Sequence, residues 1–258
     1  MGADLAGVVL AAGAGRRLAP LTRFRPKPLC PVGGRALVDH ALDRLDPVVA
    51  PDAIAANLHH GAQQLDAHLP ASVHRSFERT VALGTAGALG ALRPWVDGRD
   101  VLATNADGWF GPGLDLEPFV DGWDRERVRL LCVTDEARGD FGSARYCGVA
   151  LLPWRVVAGL APEPSGLYEV SWRAEAAAGR LDLVEADLEF VDCGTPSDYL
   201  EANLASSGGR SVVDPSAQVR SGAELTRVVL WEHAEVRETE RLLDTIRGER
   251  FTLLVRGR

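Results

Sequence analysis

Gly13-Ala14-Gly15-Arg16-Arg17-Leu18 stands at the end of a short apolar run, Leu5–Ala12. A strand entering a glycine-rich turn lets backbone N–H groups approach phosphate oxygens closely. The two arginines add bidentate cations of the kind that suit a polyphosphate. Alone, the turn has two readings, a phosphate nest or a plain tight turn. It is not the dinucleotide fingerprint, whose third glycine is replaced by Leu18, and it lacks the Gly-Lys-Ser/Thr of a P-loop. Lys27, between Pro26 and Pro28, is the only lysine among 28 basic residues. It is either a stray survivor of arginine-biased codon usage or a position where a compact ammonium works and a planar guanidinium does not. Its place soon after the glycine turn favours the second.

Two aspartates follow apolar runs further along, Asp107 in Asn105-Ala106-Asp107 and Asp192 in Val191-Asp192-Cys193-Gly194. Mg²⁺ takes carboxylate oxygens and keeps waters and substrate phosphates, so one or two protein carboxylates suffice to hold it. Each aspartate taken singly is as well explained as a helix N-cap or a turn residue.

These residues need strands and helices to position them. Runs of strand length fall at Leu5–Ala12, Ala53–Asn57, Asp100–Thr104, Val128–Thr134, Gly148–Leu152 and Leu188–Asp192. Helical spacing falls at Ala36–Leu45, Gln63–Leu69, Ala86–Leu92, Arg173–Gly179 and Ser197–Leu204. Strands alternating with helices predict an α/β fold of three layers around a mostly parallel sheet. Ligands of such sheets gather beyond the carboxyl ends of the strands, where Gly13, Asp107 and Asp192 are expected. After Ser206-Ser207-Gly208-Gly209 the pattern changes. Val213, Val219 and Leu225 recur every six residues, as do Leu230, Val236 and Leu242. That hexad period predicts a short β-helix-like tail, the alternative being a plain β-rich tail. The expected division is a catalytic unit over 1–205 and a tail over 210–258, whose faces serve packing or homo-oligomer contacts.

With 258 residues, 46% of them hydrophobic, the chain can build a substantial core. A net charge of −8 argues against a nucleic-acid partner, which needs a broad basic field. Cys30, Cys132, Cys147 and Cys193 show no zinc-ligand spacing and read as ordinary reduced thiols. With no secretory leader pattern and no apolar run of membrane-spanning length, the expectation is a cytoplasmic protein without a membrane partner.

Leu10-Ala11-Ala12-Gly13-Ala14-Gly15-Arg16-Arg17-Leu18-Ala19-Pro20-Leu21-Thr22, followed by Arg25-Pro26-Lys27-Pro28-Leu29 and Pro31-Val32, resembles the signature of the sugar-1-phosphate nucleotidyltransferases. Leu83-Gly84-Thr85-Ala86-Gly87-Ala88-Leu89 is similar to that family's base-binding segment, particularly in mannose-1-phosphate guanylyltransferases. Thr104-Asn105-Ala106-Asp107 resembles its Asn-Gly-Asp metal motif with alanine in the middle, and Val191–Pro196 its Asp-x-Gly-Thr-Pro block. The four blocks match in order and spacing over roughly residues 5–204, and the hexad tail resembles the left-handed β-helix that follows the catalytic domain in many members.

The resemblance implies a Rossmann-like nucleotidyltransferase domain. It implies that Leu10, Ala11, Ala12, Gly13, Gly15, Gly84 and Thr85 hold the nucleotide. Arg17 would grip the departing pyrophosphate, Lys27 the phosphates at the reacting centre, and Asp107 and Asp192 a shared Mg²⁺. Gly148 and Glu169 would lie against the sugar. The substrates implied are a nucleoside triphosphate and a sugar 1-phosphate, with guanylyl transfer slightly ahead of uridylyl. One departure stands out: many members carry a Glu-Lys-Pro segment whose lysine contacts the sugar phosphate, and this chain has none. Its shortened form resembles small uridylyltransferases that act on amino-sugar phosphates, and Arg145 is the candidate substitute for that lysine. The rival readings are a catalytically silent nucleotide-sugar-binding subunit and a cytidylyltransferase for a non-sugar phosphate such as phosphocholine, with Trp109, Trp154 and Trp172 as aromatic walls.

Overall fold

The computed structural model describes residues 5–255; the outermost residues of both expected units, 1–4 and 256–258, lie outside the described residues. Leu5–Leu10 turns Leu5 and Val9 to one apolar cluster and Ala6 and Val8 to another. A strand apolar on both faces belongs in the middle of a covered sheet. It is flanked by Ile54–Leu58 and Asp100–Asn105, both parallel to it. The full sheet has seven strands, ordered Leu181–Glu185, Val128–Thr134, Ala144–Leu152, Asp100–Asn105, Leu5–Leu10, Ile54–Leu58, His74–Phe77. Ala144–Leu152 runs antiparallel to both of its neighbours, and the remaining pairs are parallel.

One face of the sheet is covered by Val38, Ala41 and Leu45 of helix Leu37–Leu45, Leu65 of helix Ala62–His68 and Phe119 of helix Glu117–Asp121. The other is covered by Ala86, Leu89 and Leu92 of helix Gly84–Val96, Val156 and Val157 of helix Trp154–Val157, and Trp172. This is the three-layer α/β arrangement with a mostly parallel sheet. From Leu5–Leu10 the chain steps outward to His74–Phe77 and then returns to the opposite side at Asp100–Asn105. The strand order reverses there, so the carboxyl ends of Leu5–Leu10 and Asp100–Asn105 flank a natural crevice.

Two sheet strands escape the apolar-run reading, His74–Phe77 and Leu181–Glu185. Both are edge strands whose residues are at most half-buried, so no continuous hydrophobic run announces them.

Helix Pro196–Ser206, capped at its start by the Thr195 side chain, leads into the tail. There Val213 pairs with Leu230, Val219 with Val236 and Leu225 with Leu242, all in parallel ladders. The hexad residues thus stack on one another from one pass of the chain to the next. Phe251–Leu254 closes the tail antiparallel to Arg241–Gly248. Val229, Trp231 and Ile246 of the tail share a buried cluster with Leu18, Leu21 and Tyr199, so the tail is cemented to the segment that follows the glycine turn.

Candidate active site

Asn105 ends its strand, and the N–H of Ala106 donates to the carbonyl of Leu10 at 3.0 Å, tying the Asp107 turn to the start of the glycine loop. Asp192 is brought alongside by a short antiparallel ladder in which it faces Gly108. The Cys193 N–H donates to the Asp107 carbonyl at 3.1 Å. Lys27 enters from a 3-10 turn, Lys27–Leu29. Its ammonium donates to Asp107 Oδ2 at 2.7 Å and to Asp192 Oδ1 at 3.5 Å. Its side chain is only 8% exposed. Burial alone would lower its pKa, but the Asp107 and Asp192 charges and the hydrogen bond to Asp107 outweigh that and hold it above the ordinary lysine value. Lys27 is therefore a charged ammonium. Gly15 makes room for it: at φ 59°, a Cβ there would lie 2.8 Å from Thr22 Cγ2 and 3.0 Å from Lys27 Cβ.

Two cavities meet at this cluster. The first, of about 200 Å³, is lined by Leu10, Ala11, Ala12, Gly13, Gly84 and Thr85, and by Lys27 and Asp107. The second, of about 620 Å³, contains Arg17, Arg138, Arg145, Tyr146, Gly148 and Asp192, and again Asp107. Asn105 and Asp107 line both. Arg17, with a side chain 73% exposed, stands 3.7 Å from Asp192 Oδ2 in the second cavity. Gly15 and Glu169 line neither: Gly15 lies beneath Lys27, and the exposed Glu169 folds back against Gly166. Nor do Trp109, Trp154 and Trp172, which pack in or against the apolar clusters.

Arg145 lines the second cavity while paired with Asp135 at 3.2 Å and lying over the Phe190 ring at 5.3 Å. All four cysteines are buried free thiols, and burial pushes Cys30, Cys132 and Cys147 up to about 12. They remain protonated and inert.

Several supporting residues escape a motif-based reading. Arg44, a buried residue, donates to Thr104 Oγ1 at 2.6 Å, to the Asn105 carbonyl at 3.1 Å and to the Gly108 carbonyl at 2.7 Å. It thereby splints both ends of the Asp107 turn. Burial lowers its pKa to about 10, which still leaves it charged at neutral pH. Its one signal in the sequence is a charge in the buried stripe of Leu37, Ala41 and Leu45. Asn57 accepts from the Ala11 N–H at 2.7 Å and donates to Glu78 Oε1 at 2.7 Å, while Glu78 Oε2 accepts from the Leu83 N–H at 2.7 Å. This relay ties the glycine loop to the Gly84-Thr85 segment across the first cavity. Asn57 gives itself away only as a polar residue in the otherwise apolar, fully buried strand Ile54–Leu58.

Comparison with known proteins identifies the family. The family model described as nucleotidyl transferase matches residues 6–144. An N-acetylmuramate alpha-1-phosphate uridylyltransferase of Caulobacter vibrioides is 31% identical over 233 residues, covering 77% of this chain and 96% of that protein. A mannose-1-phosphate guanylyltransferase catalytic subunit beta of Dictyostelium discoideum is 24% identical over 75% of this chain and 62% of its own length. The same fold occurs in a Thermus thermophilus structure described as mannose-1-phosphate geranyltransferase, with a TM-score of 0.70 at 18% identity over 98% of this chain and 95% of that one. With a family match over more than half its length and a relative covered almost end to end, the chain belongs to the nucleotidyl transferase family.

Proposed function

We propose that the chain transfers a nucleotidyl group from a nucleoside triphosphate to a sugar 1-phosphate, releasing pyrophosphate and forming a nucleoside diphosphate sugar. The observation that carries this reading is the meeting of two cavities at Asp107, with the Lys27 ammonium beside it. The narrow cavity, lined by loop backbone and the start of helix Gly84–Val96, suits the base and ribose of a nucleotide. The wide polar cavity suits a sugar phosphate. An acceptor phosphate oxygen attacks the α-phosphorus, the new P–O bond forms, and the α–β anhydride bond breaks with its electrons leaving on pyrophosphate. Such a reaction needs alignment and charge neutralisation more than a general base. Lys27 supplies buried positive charge at the junction, and Arg17 an exposed one in the second cavity.

Asp107 and Asp192 would hold Mg²⁺. The donor set fits: two hard carboxylates already converge on one cation, the Lys27 ammonium. Among the described residues no group of three or more His, Cys, Asp or Glu forms a metal cage. That suits an ion that keeps its waters and shares substrate phosphates. When bound, it would neutralise the phosphate oxygens.

For the base, we place uridylyl transfer ahead of guanylyl, reversing the order drawn from Leu83–Leu89 alone. The support is the uridylyltransferase relative, which is covered over 96% of its length. On the acceptor side, Arg138 and Arg145 line the second cavity and supply cations for a sugar phosphate in a chain without the Glu-Lys-Pro lysine. The stacked hexads are read as a short β-helix within the 210–258 tail that braces the 1–205 transfer unit and offers a face to a second copy. No helix among the described residues is long and apolar enough to cross a membrane. A pyrophosphate-release assay with Mg²⁺ tests the reading, crossing the four nucleoside triphosphates with N-acetylmuramate, glucose, N-acetylglucosamine and mannose 1-phosphates and with phosphocholine. Release with UTP and an amino-sugar 1-phosphate is expected; silence across the panel overturns the proposal in favour of a binding subunit.

A further inference from the structure

The segment that presents Lys27 is gripped by the tail, more than two hundred residues away in sequence. Arg25 donates Nη1 to Glu232 Oε1 at 3.1 Å and Nη2 to Glu232 Oε2 at 2.7 Å. The same guanidinium lies over the Trp231 ring, 4.5 Å from its centroid, and reaches the Leu29 carbonyl at 3.5 Å. Phe24 stacks on Phe251 of the tail with centroids 4.6 Å apart, and Phe251 meets Trp231 edge-on at 5.0 Å. At the far end of the segment, Trp231 Nε1 donates to the Tyr199 hydroxyl at 2.9 Å, and that hydroxyl donates to the Pro31 carbonyl. Lys27 lies between these anchors, with prolines on both sides.

A proline on either side restricts the backbone of the segment, so a displacement at Arg25 is passed along rather than absorbed. The Lys27 side chain is buried and makes two carboxylate contacts, leaving little slack for a shifted backbone. A bidentate, stacked arginine pair fixes orientation as well as distance, which a lone surface ion pair does not. We infer that Glu232 is a positioning residue for Lys27, acting through Arg25, so that the tail sets the geometry of the reacting centre. This rests on the reading of Lys27 as the group that holds the reacting phosphates.

The solitary lysine gives a direct probe. Protein labelled with ¹³Cε-lysine yields a single side-chain resonance, from Lys27. In Glu232→Ala, that resonance is expected to move and broaden at fixed pH and under conditions where the protein is folded. kcat for UTP-dependent pyrophosphate release is expected to fall about tenfold, roughly 1.4 kcal/mol of transition-state stabilisation, with KM for UTP within about twofold. Arg25→Ala should do the same, and the double variant should lose no more than either single one, since both act through one link. Should Glu232→Ala not fold, Glu232→Gln, which keeps the shape, is read instead and is expected to change in the same direction. An unmoved resonance with full kcat in a folded Glu232 variant overturns the inference, as do additive losses in the double variant. A wild type that transfers nothing brings down the transfer reading, and the Lys27 resonance then decides the coupling alone.

Discussion

The Lys27 ammonium donates to Asp107 Oδ2 at 2.7 Å across eighty residues of sequence, and does so from a buried position beside Gly15. A guanidinium is planar and broader, and its terminal nitrogens reach one bond beyond the position of a lysine ammonium. Lys27→Arg is therefore expected to fold normally yet to lose at least about a hundredfold in kcat, some 2.7 kcal/mol, as for loss of a preorganised electrostatic contact. Steady-state kinetics beside a thermal melt check this. Near-native turnover in the arginine variant would mean that the shape of the cation is irrelevant there.

Arg44 is the hidden support of the same turn. Arg44→Met keeps much of the apolar stem but ends short of the guanidinium, leaving Thr104 Oγ1 and the Gly108 carbonyl without their buried donor. Each such loss costs about 1–3 kcal/mol, so the variant is expected to unfold at markedly lower urea and to lose kcat as the Asp107 turn relaxes. Urea titration with parallel activity measurement decides; a stable variant with full activity would show that the turn holds itself.

How much of this was legible beforehand follows from how each residue earns its place. Gly13, Lys27 and the two aspartates line the two cavities; in the proposed reaction chemistry dictates their types, and chemistry leaves short sequence patterns. Arg44, Asn57 and Glu78 serve the backbone of other residues. Any donor or acceptor of suitable reach would do, and most of their partners lie 21 to 64 residues away, so no local spacing reveals them. The central strands were readable because they are apolar on both faces; the edges at His74–Phe77 and Leu181–Glu185 were not. The hexads foretold which tail residues stack, though not that Trp231 and Glu232 would reach back to Arg25. Glu169, matched by position, lines neither cavity and lies exposed against Gly166.

Acid should expose a separate element of stability. Glu175 accepts from Arg155 at 3.0 and 2.7 Å and from Arg180 at 3.0 and 3.2 Å. The Arg155 hydrogen bonds first, and the Arg180 ones after the opposing effect of burial, hold its pKa at about 2 against an ordinary 4.5. A depressed carboxylate contributes stability that is full above its unfolded value and is lost as pH falls through the folded one. Wild type is thus expected to exceed Glu175→Gln in stability at pH 7, with the gap closing between about pH 4.5 and 2. Chemical denaturation at stepped pH measures it, and a gap that ignores pH would refute the assignment.

The aspartate pair predicts a metal requirement with a particular asymmetry. EDTA is expected to abolish pyrophosphate release and added Mg²⁺ to restore it. Asp107 lines both cavities and Asp192 only the second. Asp107→Asn is therefore expected to lose activity at any Mg²⁺ concentration, whereas Asp192→Asn should recover part of its rate as Mg²⁺ is raised. Magnesium titrations of the two variants check this; equal and unrecoverable losses would argue that the carboxylates do not differ in role.

Gly148 offers a test confined to the acceptor side. It lies in the second cavity at φ 80°, and a Cβ there would come within 3.0 Å of Asn105 Cβ and Nδ2. Asn105 ends the strand that carries Asp107, so the intruding methyl has two ways to be accommodated. Either the Ala144–Leu152 strand backs away and the cavity floor shifts, or Asn105 turns and disturbs the junction. Left-handed backbone at a residue with a Cβ costs of order 1–3 kcal/mol, which the well-paired strand can bear without unfolding. Gly148→Ala is expected to raise KM for the sugar 1-phosphate by about tenfold, the equivalent of 1.4 kcal/mol, while KM for the nucleoside triphosphate stays put. The nucleotide is spared when the strand backs away, because the first cavity does not include Gly148; a turned Asn105, which lines both cavities, would raise both KM values. Measuring both KM values in one variant separates the two cavities: a change confined to the nucleotide would exchange their roles.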